Sequence, residues 1–308
     1  MLMQIKTLGL AHALGDSLGA QYEFRFNASR QFIHGFHYVP RIVSRFQGER
    51  HGVIGQWTDD TEMALSLYQS LKATEFEYDQ DSVIIAYLEW ANSKPFGMGK
   101  TTRTLLHGIT TLKGYRNRYA KLKATCDSQS NGSLMRAWPL VFAKDRHDAV
   151  IFDTQITNPN SINTECGLIY IDLLYDLLHD IFDKEKLNAR AQECIYPDIK
   201  LAMEQALSGS TRTFNKGQNG WVVHGLYFAI IAVISDDPPL KIYDDIIQMK
   251  IDPDTTCAIA GAVIGAKYWR TFLQIPDIKS LIDIVVSVDT TKGEFPRSDK
   301  FHPKLYTY

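Results

Sequence analysis

Cysteine is scarce in this chain. Four stand among 308 residues, at Cys126, Cys166, Cys194 and Cys257, and no two share a short spacing. That pattern argues against a zinc site or a disulfide framework and fits a reducing compartment. Charge of one sign is missing too. The 33 Lys and Arg against 35 Asp and Glu leave a net charge of −2. No global field draws the chain to nucleic acid or to an anionic membrane surface. Long apolar runs are absent: the longest, Gly225 to Ile234, falls short of the roughly 18 residues that cross a bilayer. The N-terminus begins apolar, but Lys6 and Asp16 interrupt it and no cleavage site follows. There is no solenoid repeat and no low-complexity linker. A cytoplasmic protein of one domain over residues 1–308 is expected, with no nucleic-acid or membrane partner. An effector exported by a non-classical route would look the same.

What is present is helical periodicity. It predicts helices over 4–20, 60–72, 81–92, 101–112, 132–143, 162–183, 198–207, 219–235, 256–272 and 277–287. Strand-like alternation is scarce, and 31–46 is the ambiguous stretch. The fold class expected is all-α: a compact orthogonal multi-helix domain with a binuclear metal site at its centre. The remaining segments 25–55, 113–130, 145–160 and 288–308 read as loops, enough to build a site above a helical scaffold. Gly15 and Gly19 lie four apart, as do Gly261 and Gly265. Residues so spaced share a helix face, and small ones let two axes approach closely.

Two acidic clusters stand out. Thr58-Asp59-Asp60-Thr61 precedes an amphipathic run, and Asp252-Pro253-Asp254-Thr255 precedes a long apolar one. Taken singly, each is simply explained as a helix cap, and Asp59…Glu62 resembles a capping box. A helix N-terminus is itself partly positive, so a cation there needs several carboxylates. The doubled Asp in both clusters meets that need. All the ligands are oxygens, which suits magnesium, manganese or calcium.

Set beside these clusters are Gly15-Asp16-Ser17-Leu18-Gly19 with Glu23, then Asn131-Gly132-Ser133-Leu134-Met135-Arg136, and Gly220-Trp221. In order and spacing the five stretches resemble the ADP-ribosylglycohydrolase family, from residue 9 to about residue 270. The resemblance implies an all-α fold with two Mg2+ (or Mn2+) and hydrolysis of the bond joining ADP-ribose to a side chain. An arginine linkage is the first expectation. It implies Thr58, Asp59, Asp60, Asp252, Asp254 and Thr255 as metal ligands, with Glu23, Asp60 and Asp254 as the catalytic carboxylates. It places Gly97, Gly99 and Thr101 against the diphosphate and Asn131, Gly132 and Ser133 on another wall of the ADP-ribose pocket. Trp221 or Tyr22 is a candidate partner for adenine, though both types more often pack in cores. The expected partner is an ADP-ribosylated protein or ADP-ribose, with an ADP-ribosyltransferase or its target beyond it, and the expected state is a monomer.

The chemistry is consistent with this. Cleaving a glycosidic bond builds positive charge on the ribose carbon, which carboxylates stabilise. Other residues have plainer readings. Arg136 is expected in a buried ion pair, Asp16 capping or pairing within the first helix, and Tyr115 to Lys123 as a solvated basic loop. Gly97 stands where some bacterial relatives carry Asp and others Gly, and Asn158 where many members carry His. Those departures motivate an alternative: a catalytically weak ADP-ribose-binding or toxin-neutralising immunity protein on the same scaffold.

Overall fold

The computed structural model of the protein describes residues 1–24, 35–44, 48–210, 212–214, 218–289 and 299–307. Among the described residues nearly all the regular structure is helical. In order come α1 (Leu2–Ala20), α2 (Asp59–Ala73), α3 (Gln80–Asn92), α4 (Lys100–Leu106), α5 (Leu112–Leu122), α6 (Arg146–Thr157) and α7 (Ser161–Leu178). Then follow α8 (Lys184–Glu193), α9 (Pro197–Ser208), α10 (Val222–Ile234), α11 (Pro239–Gln248), α12 (Pro253–Lys267) and α13 (Pro276–Ser287). One hairpin interrupts them: β1 (Arg41–Ser44) pairs antiparallel with β2 (Gly48–His51), Arg41 opposite His51.

The centre is the antiparallel pair α1 and α12. Both are buried on every side over most of their length, α1 from Thr7 to Ala20 and α12 from Pro253 to Ala266, so neither is a surface helix. The glycine stripes explain the close approach. A β-carbon on Gly15 would lie 2.1 Å from the Cys257 carbonyl, and one on Gly261 would lie 2.5 Å from the Ala11 carbonyl. Tyr243 adds a hydroxyl bond to the same Ala11 carbonyl at 2.8 Å. On the far side Tyr170 of α7 donates to the Ile259 carbonyl at 3.0 Å. Contact with α10, α7 and α2 completes the burial of α12.

Several expectations are corrected. Segments 113–130 and 145–160 are not wholly loops, for they hold most of α5 and all of α6. On α5 only Tyr115 is buried, so no apolar stripe marks it. On α6 the buried face includes Asp153 and Thr154, polar residues that break the pattern. The stretch 132–143 is not one helix. It forms two short 3-10 turns, Asn131–Ser133 and Trp138–Phe142, the second opened by Pro139. Helix α4 stops at Leu106 rather than near 112, where Gly108 takes φ +75. Parts of the expected loops, 25–34, 45–47 and 290–298, lie outside the described residues.

Candidate metal centre and adjoining cavity

Four helix-end segments meet in one place. Glu23 follows α1; Thr58, Asp59 and Asp60 open α2; Asn131 leads its 3-10 turn; Asp252, Asp254 and Thr255 open α12. The helix-cap reading of the acidic clusters fails on inspection. Elsewhere N-cap side chains do accept a backbone N–H: Asp79 from Asp81, Thr111 from Gly114, Asn160 from Asn163. Thr58 and Asp252 occupy the N-cap positions of α2 and α12 and make no such bond. Nor does Glu62 close a capping box; its carboxylate accepts the Trp90 indole N–H at 2.8 Å. The side chains at these two helix starts are bonded elsewhere: Thr58 to Asp16 and Asp60, Asp59 to Gly99, and Asp252 to Asn131.

Carboxylate oxygens of Glu23, Asp252 and Asp254 lie within 4.8 Å of one another. Asp252 takes a left-handed backbone, φ +43, which a non-glycine residue adopts at a cost of about 1–3 kcal/mol. Asn131 holds it there, donating Nδ2–H to Oδ2 at 2.6 Å. Asn131 is in turn anchored by its own N–H to the Gly220 carbonyl at 2.8 Å. Asp254 accepts the Thr255 backbone N–H at 2.8 Å. Asp60 has Oδ2 beside the Thr58 hydroxyl at 2.9 Å, while its Oδ1 is buried without a partner.

So many carboxylates raise one another's proton affinity. Removal from water pushes Glu23 well above the usual range, and Asp252 adds to it. Asp60 and Asp254 rise well above theirs for the same first reason, with Asp16 repelling Asp60 and Glu23 repelling Asp254. Asp252 is raised by burial, and Asp59 is carried to about 7 by burial and by Asp16. Burial also lifts Asp16, to about 6, against the hydrogen bonds of Thr58 and Thr61. A desolvated group of like charges with an orphaned oxygen and an all-oxygen donor set fits a hard divalent cation.

Above the carboxylates opens a cavity of about 430 Å3, lined by Glu23, Asp59, Asp252, Asp254 and Thr255 and walled by Gly97–Arg103, Asn131 and Gly132. Of the residues singled out in the sequence, Gly97, Gly99 and Thr101 do face it. A β-carbon on Gly97 would lie 2.6 Å from Asp59 Oδ1, so a larger residue there displaces that carboxylate. Gly99 donates its N–H to Asp59 Oδ2 at 3.3 Å, and Thr101 shares a hydrogen bond with Ser128 at 2.8 Å. Thr58 and Asp60 lie beneath the floor, both fully buried. Ser133 is not among the residues lining the cavity and accepts a hydrogen bond from Asn163 at 2.9 Å. Trp221 donates to Gln129 Oε1 at 2.8 Å and lines a separate cavity beside Arg212 and His224. Tyr22 is a core residue, edge-on to Tyr38 at 5.7 Å.

Three supporting residues were not assigned to the site from sequence. Asp16 accepts hydrogen bonds from Thr58 and Thr61. A carboxylate within a mostly apolar helical stretch is its signal, since buried Asp almost always has partners. Asp153 pairs with Arg136 at 3.0 Å, so the expected buried ion pair exists but away from the acidic centre. Arg136 also donates to the Gly132 carbonyl at 2.8 Å, bracing the cavity wall. Asn158 donates to the Ser128 carbonyl at 3.0 Å and the Ser130 carbonyl at 3.3 Å, tying down the chain before Asn131. The basic run Tyr115–Lys123 is not a solvated loop: most of it lies in α5, with Arg116 paired to Asp81 and Arg118 bonded to the His107 carbonyl.

Comparison with known proteins agrees with this architecture. The profile of the ADP-ribosylglycohydrolase family matches residues 5–278. The ADP-ribosyl-[dinitrogen reductase] glycohydrolase of Rhodospirillum rubrum is 25% identical over 85% of this chain and 83% of its own. The ADP-ribosylarginine hydrolase Tri1 of Pseudomonas putida (strain GB-1) is 26% identical over 85% of this chain and 69% of its own. A solved chain from an ADP-ribosylglycohydrolase-related protein complex superposes with a TM-score of 0.64 at 22% identity, covering 91% of this chain and 96% of that one. That last likeness concerns the fold.

Proposed function

This chain belongs to the ADP-ribosylglycohydrolase family, and from that premise we propose that it removes ADP-ribose from a modified protein side chain, arginine first, at a centre of two Mg2+ or Mn2+ ions. As a family member it is an ADP-ribosyl hydrolase, a glycosidase. The observation carrying the metal-dependent reading is the convergence of Glu23, Asp252 and Asp254 on the cavity floor, with Asp60 Oδ1 orphaned beneath it. Arginine is favoured by the ADP-ribosylarginine hydrolase among the relatives.

Asp59, Asp60, Asp252 and Asp254, with the hydroxyls of Thr58 and Thr255, would hold the ions. When bound, such ions grip ribose hydroxyls and make water more acidic. The remaining work falls to the chain. Glu23, half-buried at the cavity floor, is placed to take a proton from water at a carboxylate oxygen. The charge of Asp254 stabilises the positive charge that grows on the ribose carbon. Lys100 and Thr101 on the opposite wall suit a diphosphate, which glycines 97 and 99 allow to lie close to the backbone. Asn131 and Gly132 close the third side.

The chain is proposed to act as one domain and as a monomer, its core a single connected cluster. The four free thiols support a reducing, cytoplasmic setting. No described helix is long and apolar enough to cross a membrane. Incubation with arginine-, serine- and asparagine-linked ADP-ribose substrates, with and without chelator, tests the reading. Release of ADP-ribose from the arginine substrate, abolished by chelation, is expected. Tight calorimetric binding of ADP-ribose with no release from any substrate would replace it with the binding-protein alternative.

A further inference from the structure

We propose that Asp16 is a positioning residue that fixes the direction of the Thr58 hydroxyl proton, and so readies Thr58 and Asp60 for a divalent cation. The inference rests on the metal-dependent reading above. Asp16 lies near the C-terminal end of α1 and is wholly buried. Only donor groups reach it in the hydrogen bonds it makes. The Thr58 N–H lies 3.1 and 3.0 Å from its two oxygens, and the Thr61 N–H lies 3.0 Å from Oδ2. The Thr58 hydroxyl is 2.9 Å from Oδ1 and the Thr61 hydroxyl 2.6 Å from Oδ2.

A hydroxyl has one hydrogen and two lone pairs, and an ionised carboxylate has only lone pairs. Thr58 Oγ1 stands 2.9 Å from Asp16 Oδ1 and also 2.9 Å from Asp60 Oδ2. It donates to one of them. If the proton goes to Asp60, it occupies a lone pair of a carboxylate that has a metal to hold. If it goes to Asp16, Asp60 keeps all its lone pairs, and those of Thr58 stay free as well. Asp16 touches neither substrate nor ion. Its task is to compete with Asp60 for a single proton, and the backbone N–H groups of Thr58 and Thr61 lock its carboxylate in the posture to do so.

The discriminating variant is Asp16→Asn. It keeps the shape but replaces one oxygen by an NH2. The orientation that spares the donors at Oδ2 sets this NH2 against Thr58 Oγ1. The hydroxyl must then accept from Asn and turn its proton to Asp60. Titration calorimetry with Mn2+ is expected to show affinity at least about tenfold weaker than wild type, with circular dichroism and a cooperative melt in chelator retained. Thr61→Val removes a different donor from the same carboxylate and leaves the Thr58 contact; it is expected to bind Mn2+ much as wild type does. Wild-type affinity in Asp16→Asn overturns the proposal, as does an equal loss in Thr61→Val, which marks Asp16 as merely structural. Should Asp16→Asn not fold, neutron diffraction from deuterium-exchanged wild-type crystals grown with Mg2+ decides. A Thr58 deuteron directed at Asp16 supports the proposal, and one directed at Asp60 overturns it. Failure of the wild type to bind Mn2+ at all overturns the metal-dependent reading, and this inference with it.

Discussion

Gly19 of α1 rests directly on the carbonyl of Pro253 at the start of α12: a β-carbon there would lie 2.0 Å from that oxygen. The contact sits between the two halves of the acidic centre, four residues before Glu23 and one before Asp254. Gly19→Ala must therefore push α1 and α12 apart, since backbone cannot swing aside as a side chain can. The expected cost is about 1–3 kcal/mol in urea unfolding. Divalent-cation affinity should fall in parallel, because Asp252 and Asp254 at the start of α12 withdraw from Thr58 and Asp60, which Asp16 ties to α1. Gly99→Ala, where a β-carbon meets nothing within 4 Å, should leave stability unchanged. Equal stability in the two variants would mean that the helices have slack the geometry denies.

Arg136 is a second structural keystone, fully buried and paired with Asp153 at 3.0 Å. Its guanidinium also lies 4.8 Å from the Tyr87 ring centre, and Tyr87 donates to the other Asp153 oxygen at 2.7 Å. Removing one partner of such a pair strands the other charge in a dry interior. Arg136→Met is expected to destabilise by about 3–5 kcal/mol, read as a lower urea midpoint. The double variant Arg136→Met/Asp153→Leu should recover part of that loss, as no charge is then left alone. A double variant weaker than the single one would contradict this account.

Much of this was legible in the sequence, and the failures have physical causes. The glycine stripes announced close helix contact because close contact excludes a β-carbon whatever lies opposite. The acidic clusters announced themselves because two adjacent Asp exceed what a cap needs. Helix α8 was not legible: of its ten residues only Ala191 is buried, so burial leaves no periodic trace. The stretch 131–141 hid its 3-10 turns for the opposite reason. Every residue in it is buried, so no polar face shows a period. Ser133 and Trp221 illustrate a third limit. A motif gives residue types in order but not the direction a side chain takes, and both turn to partners other than the acidic cavity.

Within the acidic centre, Asp60→Asn and Asp254→Asn test the chemistry rather than the fold. Each removes one negative charge from a cluster whose members already repel one another. Metal-free stability should therefore hold or rise slightly. Release of ADP-ribose should fall by at least about 100-fold, in keeping with loss of a carboxylate at the reacting centre. A melt in chelator beside a turnover assay in Mg2+ checks both halves. Unchanged turnover in both variants would remove these residues from the catalytic set.

The raised proton affinities give a pH signature for the metal. Asp16, at about 6, and Asp59, at about 7, both stand above their ordinary 3.8. A folded-state value raised this way favours the fold below the ordinary value, and that advantage is lost as pH climbs through 6 and 7. His12 works the other way. Burial lowers it from 6.5 to about 4, so its contribution is present above 6.5 and is lost as pH falls toward 4. The two trends oppose one another in a simple melt, but the causes of the His12 shift are burial and, against it, the Met135 carbonyl at 2.8 Å, not the carboxylates. It contributes equally with and without metal, and so cancels in the difference. The gain in melting temperature on adding Mg2+ should therefore be small at about pH 5, where protons hold the ligand oxygens, and large at about pH 8. Differential scanning fluorimetry with Mg2+ or chelator at the two values measures it. A gain independent of pH would place the cation on groups other than these carboxylates.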